Sequence, residues 1–193
     1  MFKKVHIFLR FLMLPLKEID EFLPSQGKIV DLGCGEGVLD EFLAKRKTRK
    51  VVGIDINKKR LQQSRVSNLI FDYGDIRDFP LKGTDGVVLS DVLHHLNFAD
   101  QNQLLSRIAN SLNENGVLVI KEIDTKEFIR SKLSRFWDFV FYPKDMIYFS
   151  NSKDLKRFLE KLGFKVKILR ACRFFPGSTT LYLCRKSFAK ASP

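Results

Sequence analysis

Apolar runs alternate with helix-compatible stretches along the chain from residue 28 onward. Strands are predicted where the runs are short and apolar, at Lys28–Leu32, Lys50–Ile56, Ser67–Asp72, Gly86–Ser90 and Gly116–Ile123. Helices are predicted where polar and apolar positions mix at helical spacing, at Leu39–Lys47, Asn57–Ser67 and Asp100–Leu112. Strands that alternate with helices favour a parallel sheet covered on both of its faces.

The pattern changes towards the end of the chain. Asn151 or Ser152 can cap a helix that stops at Gly163. Two more strands are predicted at Phe164–Arg170 and Thr179–Arg185, and the connection between them is too short for a parallel crossover. The chain is therefore predicted to form one α/β domain in which this last pair of strands is antiparallel.

Two segments stand outside the alternation, residues 1–25 and residues 125–150. The first carries Lys3, Lys4 and Arg10 among apolar side chains, which predicts a helical extension packed on the domain or lying on a membrane surface. Arg10 interrupts its apolar core, which disfavours a secretory signal peptide. The second has apolar residues at roughly four-residue intervals, which predicts a helix packed on the sheet edge or a lid on the substrate side.

A glycine cluster follows the first predicted strand. Gly33, Gly35 and Gly37 allow the backbone to turn sharply and to approach a ligand without Cβ clashes. The third glycine comes one residue earlier than in the G-x-G-x-x-G loop of dinucleotide enzymes. Asp31, just before the loop, would repel a pyrophosphate. The loop therefore favours a ligand that carries a nucleoside without a phosphate.

Acidic residues follow the next two predicted strands. Asp55 lies 20 residues after Gly35, where a carboxylate can accept both ribose hydroxyls of a ligand held by the glycine loop. The alternative is a strand-end acid or a helix cap. Asp75 can accept from an exocyclic adenine amine while Ile56 and Ile76 cover the two ring faces. The alternative for Asp75 is a turn residue beside glycine.

Charge is distributed unevenly along the chain. Residues 1–120 hold 17 lysines and arginines against 15 acidic residues, whereas residues 121–193 hold 17 against 7. The last third therefore carries a net charge of +10 and suits an anionic partner. No apolar run reaches the ~18 residues of a membrane span. Three cysteines without a C-x-x-C pair favour a reducing, cytoplasmic location.

Five motifs stand in order at the spacing of successive strands. They are VDLGCGEG at 30–37, VVGIDI at 51–56, GDIRDFP at 74–80, VVLSDVLHHL at 87–96 and GVLVIKEI at 116–123. Together they resemble the class I S-adenosylmethionine-dependent methyltransferases, most of all the members that modify small molecules, quinones or lipids. The resemblance covers most of the chain from about residue 26 and implies an α/β, Rossmann-like, doubly wound seven-stranded sheet, mostly parallel with an antiparallel last strand. The length of 193 residues predicts a single domain over 1–193. The resemblance also implies S-adenosylmethionine as the cofactor.

The resemblance implies a role for individual residues as well. The glycines would wrap the methionine portion, with Asp31 at its ammonium group, Asp55 at the ribose diol and Asp75 at the adenine amine. Ser90 and Asp91 would approach the methionine portion and the incoming substrate. The cofactor-binding residues so implied are Asp31, Gly33, Gly35, Gly37, Asp55, Ile56, Asp75, Ile76 and Ser90.

Candidate catalytic residues lie after the fourth predicted strand. His94 and His95 follow Asp91 at the carboxyl end of that strand, where open α/β sheets bind ligands. We select His95 and Asp91 as the catalytic candidates, with Tyr142 or Tyr148 as substitutes for the histidine. A general base is needed only if the acceptor must lose a proton. Adjacent histidine side chains point in different directions, so we expect no metal site.

The predicted activity is methyl transfer to an oxygen or carbon of a small-molecule or lipid-like acceptor. The loop after the fourth strand lacks the Asn-Pro-Pro-Tyr sequence that holds a planar amine in nitrogen-methylating families, and no cysteine follows a proline. An RNA methyltransferase and a non-catalytic S-adenosylmethionine-binding subunit remain alternatives. Nucleic acid is the less favoured partner because the chain has no recognisable RNA-binding appendage. We expect a cytoplasmic protein that can contact an anionic membrane.

Overall fold

The helices and strands follow the predicted α/β alternation. A computed structural model describes residues 14–61, 63–64, 66–123, 152–171 and 179–187. The strands are β1 (Gly27–Leu32), β2 (Arg49–Asp55), β3 (Leu69–Tyr73), β4 (Thr84–Ser90), β5 (Leu112–Ile123), β6 (Phe164–Ala171) and β7 (Thr179–Lys186). The helices of the described residues are α1 (Leu16–Phe22), α2 (Val38–Leu43), α3 (Phe98–Ser111), α4 (Ser152–Lys161) and a 3₁₀ turn at Leu93–His95.

The seven described strands form one sheet in the order β3-β2-β1-β4-β5-β7-β6. Strands β3, β2, β1, β4 and β5 are parallel to one another, and β7 pairs antiparallel with both β5 and β6. The predicted sheet, mostly parallel with an antiparallel last strand, is confirmed. The chain reverses its direction of winding between β1 and β4, and open α/β sheets bind ligands at the carboxyl ends of such a pair of strands.

Alternate residues of each strand point to opposite faces, so the sheet has two apolar cores. On one face Leu118 and Ile120 of β5 pack in a cluster with residues of α3 and α4. On the other face Val117 and Val119 pack in a cluster with residues of α1 and α2. Burying one such aliphatic side chain contributes roughly 1.5–3 kcal/mol, so the two clusters stabilise the sheet from both faces.

One predicted helix is wrong. The described residues between Asn57 and Ser67 form turns and no helix. Asn57 N–H donates to Asp55 Oδ1 at 2.7 Å, and Lys59 N–H donates to Asn57 Oδ1 at 3.1 Å. Short polar side chains that bond nearby backbone groups compete with the helical hydrogen-bond ladder, which explains the difference.

Other predicted bounds shift by a few residues. β5 begins at Leu112 instead of Gly116, so α3 ends one residue earlier, at Ser111. α3 begins at Phe98 because the Asn97 side chain accepts the Asp100 N–H at 2.9 Å. The helix predicted at 39–47 is α2 and ends at Leu43.

Part of the predicted extension is described. Helix α1 lies within residues 1–25, whereas residues 1–13 and the predicted lid at 125–150, with Tyr142 and Tyr148, lie outside the described residues. The single-domain boundaries stay a prediction. No helix in the described ranges is long and apolar enough to cross a membrane.

Candidate functional site

The loop between β1 and α2 requires glycine at its turns. Gly33, Gly35 and Gly37 have φ angles of 84°, 59° and 76°, in the left-handed region that disfavours residues with a Cβ. A Cβ on Gly33 would lie 2.4 Å from Val92 Cγ2, and one on Gly37 would lie 2.2 Å from Phe71 Cζ. The loop therefore leaves no room for side chains at these two positions.

Asp55 connects the end of β2 to the glycine loop. Its Oδ2 accepts the Gly35 N–H at 2.8 Å, and its Oδ1 accepts the Asn57 N–H at 2.7 Å. The 20-residue spacing in the sequence thus brings the two residues into direct contact. An ionised carboxylate has about four acceptor positions, so each oxygen keeps capacity for a hydroxyl group of a ligand.

The predicted adenine-binding residues have different surroundings. Ile56 is 62% exposed, which is unusual for a large aliphatic side chain, whereas Ile76 is 9% exposed. The Asp75 carboxylate receives Arg77 Nη2 at 2.6 Å and Arg77 Nε at 3.0 Å, and this hydrogen bonding lowers the pKa of Asp75. Arg77 was missed by sequence reasoning, and any amine bound at Asp75 would share the carboxylate with it.

Buried polar residues lie at the carboxyl ends of β1, β4 and β5. Asp31 is 2% exposed and Ser90 is 4% exposed. Asp91 has a φ of 56°, and its Oδ2 lies 2.5 Å from the Nζ of Lys121, a buried residue at the end of β5. Lys121 was also missed, although a lysine followed by glutamate in an otherwise apolar strand was a signal that could have found it.

A buried histidine–carboxylate pair joins β5 to the turn after β4. His94 Nδ1 lies 2.7 Å from Glu122 Oε2. The other oxygen, Oε1, accepts the N–H groups of Val92 at 3.1 Å and Leu93 at 2.7 Å. Because an ionised carboxylate only accepts, it holds the proton of the imidazole on Nδ1 and makes Nε2 the basic nitrogen.

His95, the histidine selected from the sequence, lies beside this pair. It is half-buried, and its ring centroid is 4.2 Å from that of His94 at an interplanar angle of 46°. The hydrogen bond described for Glu122 and a histidine is the one with His94. Glu122 was not selected from the sequence. The parts of the chain that the structure describes hold no group of three His, Cys, Asp or Glu residues arranged for a metal ion.

Comparisons with known proteins agree with this geometry. A family model described as "Methyltransferase domain" matches residues 5–167. A trans-aconitate 2-methyltransferase from Variovorax paradoxus is 33% identical over 118 residues, covering 58% of this chain and 45% of that protein. A carboxy-S-adenosyl-L-methionine synthase from Haemophilus ducreyi is 28% identical over 118 residues, covering 53% and 47%. The chain spans about half the length of the curated relatives it matches.

The fold is shared with solved structures. The crystal structure of magnesium protoporphyrin IX methyltransferase from Synechocystis, with bound SAH, superposes with a TM-score of 0.69 at 20% identity. The match covers 89% of this chain and 82% of that one. At this identity the likeness establishes the fold.

Proposed function

The chain belongs to the methyltransferase-domain family, and from that premise we propose that it uses S-adenosylmethionine to methylate an oxygen or carbon of a small-molecule or lipid-like acceptor. The observation that carries this proposal is the junction of the glycine loop with Asp55. At that junction the two carboxylate oxygens of Asp55 lie beside the glycine loop, whose backbone leaves no room for side chains at Gly33 and Gly37. The chemistry of the residues present therefore fits a nucleoside with a free ribose diol.

The cofactor roles proposed for single residues use this geometry. Asp55 would accept the ribose hydroxyls, and the exposed Ile56 would gain cover from one adenine face while Ile76 supports the other. The Asp75 carboxylate would accept a hydrogen bond from the adenine amine in addition to those that Arg77 donates to it. The buried carboxylate of Asp31 would face the methionine ammonium.

S-adenosylmethionine, when bound, supplies a methyl group on a sulfonium, so alignment of the acceptor provides much of the acceleration. For an acceptor that carries a hydroxyl, we propose His94 as the general base, with Glu122 as its positioning residue. Glu122 holds the Nδ1 proton, so Nε2 takes the proton of the acceptor hydroxyl. His95 and Asp91 remain candidates, and the Lys121–Asp91 ion pair gives Asp91 a structural role as well.

A basic face favours an anionic environment for this activity. Lys165 of β6 lies opposite Arg185 of β7, and Lys167 follows on the same face of β6. All three are exposed, and within the described ranges no ion pair involves them. Like charges directly opposite each other destabilise a sheet, and a bound anion would relieve that repulsion between Lys165 and Arg185. The proposed location is cytoplasmic, with contact to an anionic membrane; the same face supports RNA as the second candidate acceptor.

The experiment that tests the function is incubation of the protein with cell extract and a methyl-labelled donor, followed by mass spectrometry of metabolites, lipids and RNA. Label is expected in one small-molecule or lipid fraction, at an oxygen or carbon. An Asp55→Ala variant is the control, since loss of ribose binding should remove the label. Label in RNA alone would favour the second candidate, and no label in any fraction would favour a non-catalytic subunit.

A further inference from the structure

Two buried polar side chains lie next to each other beneath the proposed cofactor site. Ser90 of β4 and Lys121 of β5 are direct partners in the parallel register, and they are 4% and 2% exposed. Ser90 Oγ has no hydrogen-bond partner within the described part of the chain. Lys121 Nζ bonds Asp91 Oδ2 at 2.5 Å, which uses one of the three N–H groups of its ammonium.

The two side chains share a face of the sheet with Asp31. Along β5, Val117 and Val119 point towards α1 and α2, so Lys121 does as well. Register partners point to the same side, so Ser90 lies on that face. Ile29 of β1 belongs to the same cluster, and Asp31, two residues on, therefore also lies on this face. Three adjacent strands, β1, β4 and β5, thus present an acid, a hydroxyl and an ammonium in order.

The row of side chains formed by Asp31, Ser90 and Lys121 is complementary in charge to a zwitterion. We propose that Ser90 and Lys121 form a carboxylate subsite, with the Ser90 hydroxyl and the remaining Lys121 N–H groups as donors. The inference rests on the proposed function, because one source of the carboxylate is the methionine portion of the cofactor, whose ammonium would face Asp31. The other source is a carboxylate on the methyl acceptor. In either case the bound anion satisfies donors that the described residues leave with spare capacity.

Stability alone does not account for these residues. A buried hydroxyl without a partner costs free energy, and alanine at position 90 would avoid that cost. A buried ion pair such as Lys121–Asp91 is often no more stabilising than apolar residues of the same volume. Positions that break the rules of a stable core are typical of functional sites.

Calorimetry with two cofactor analogues tests the first source. S-adenosylhomocysteine carries the amino-acid group, and 5′-methylthioadenosine lacks it while keeping the nucleoside. Lys121→Met is expected to weaken S-adenosylhomocysteine binding by about 10- to 150-fold, the loss typical of a hydrogen bond between charged groups, and to leave methylthioadenosine binding unchanged. Lys50→Met, which replaces an exposed lysine near the start of β2, is the matched control and should change neither affinity.

Ser90→Ala provides a second variant if Lys121→Met does not fold. It is expected to weaken S-adenosylhomocysteine binding while it keeps or raises the Tm of the unliganded protein, because it removes an unsatisfied buried group. A purely structural hydroxyl would instead lower the Tm on removal.

The second source is tested on the S-adenosylhomocysteine complex. If both variants bind that analogue like wild type, benzoate and the neutral benzamide are titrated into the complex. Benzoate binding that is lost in Lys121→Met, without any effect on benzamide, would assign the subsite to the acceptor. Equal losses for both cofactor analogues, or unchanged binding of all four ligands, would overturn the subsite. Failure of the wild type to bind either cofactor analogue would count against the proposed function instead.

Discussion

Two regions of the same sheet edge are built in different ways. At the ends of β1 and β2 the site consists of backbone, three glycines and one carboxylate that accepts backbone N–H groups. At the ends of β4 and β5 it consists of buried side-chain pairs, His94 with Glu122 and Lys121 with Asp91. The first region suits recognition of a fixed ligand, and the second has the titratable groups that chemistry on a variable acceptor needs.

The largest effect is expected in the second region. His94→Ala should lower turnover on the labelled acceptor by about 10²- to 10⁴-fold, the usual contribution of a general base. Affinity for S-adenosylhomocysteine should stay within a few-fold, because the histidine lies beyond the glycine loop. Steady-state kinetics and calorimetry measure the two quantities.

His95→Ala is the matched control for this prediction. It removes the neighbouring ring and keeps both members of the His94–Glu122 pair, so turnover should fall less than in His94→Ala while cofactor affinity stays within a few-fold. Glu122→Gln keeps an oxygen for the Val92 and Leu93 N–H groups but offers His94 an amide donor. It should therefore move the imidazole proton to Nε2, which nitrogen chemical shifts report. A larger loss in His95→Ala would transfer the catalytic role to His95.

In the first region the expected effect is on binding. Asp55→Ala should weaken S-adenosylhomocysteine by roughly 10- to 150-fold, because it removes hydrogen bonds to a charged group. Asp154→Ala, at an exposed position in the first turn of α4, is the control and should leave the affinity unchanged. Unchanged affinity in Asp55→Ala would remove this carboxylate from the site and with it the contrast between the two regions.

The two regions also differ in how far the sequence predicts them. Gly35 and Asp55 were found from their spacing, since a loop after one strand and the end of the next strand must lie side by side in a parallel sheet. Glu122 and Lys121 were not selected, because their partners lie about 30 residues earlier and the contacts depend on the β4–β5 register. Pairing between side chains on different strands leaves little local signal.

The fold also contains elements that the sequence predicts and one that it does not. Strand positions and the antiparallel end follow from hydrophobic pattern and connection length, and both were confirmed. The helix expected after β2 was wrong because the side chains of Asp55 and Asn57 satisfy the local N–H groups. A helix prediction from composition averages over a window of residues, whereas the hydrogen bonds of one or two side chains decide whether this segment is helical.

A smaller effect on stability tests the close packing of the glycine loop. Gly37→Ala introduces a Cβ that would lie 2.2 Å from Phe71 Cζ at a φ of 76°. The left-handed conformation alone costs a non-glycine residue about 1–2 kcal/mol of folding free energy. Denaturant unfolding of Gly37→Ala, Phe71→Leu and the double variant measures how much of the loss comes from the clash. Purely additive losses would show that Phe71 does not restrict this position.

The smallest effect concerns Asp75 and Arg77. Pairing lowers the pKa of Asp75 in the folded state, so the pair stabilises the fold above the unfolded pKa of about 3.8 and loses that contribution as the pH falls through the folded value. Arg77 is half exposed, so the contribution is about 0–1 kcal/mol. Arg77→Met should therefore lower the Tm slightly at pH 7 and not at strongly acid pH. An equal Tm difference at both pH values would mean that the charge of Asp75 is not involved.

The glycine loop and Asp55 are proposed to form a site for S-adenosylmethionine and not for a dinucleotide. Isothermal titration of the wild-type protein with S-adenosylhomocysteine and, separately, with NAD tests this proposal most directly. We expect one molecule of S-adenosylhomocysteine to bind per chain and NAD to give no heat of binding, because a carboxylate at Asp31 would repel a pyrophosphate at the loop. Binding of NAD, or of neither ligand, would contradict the proposal.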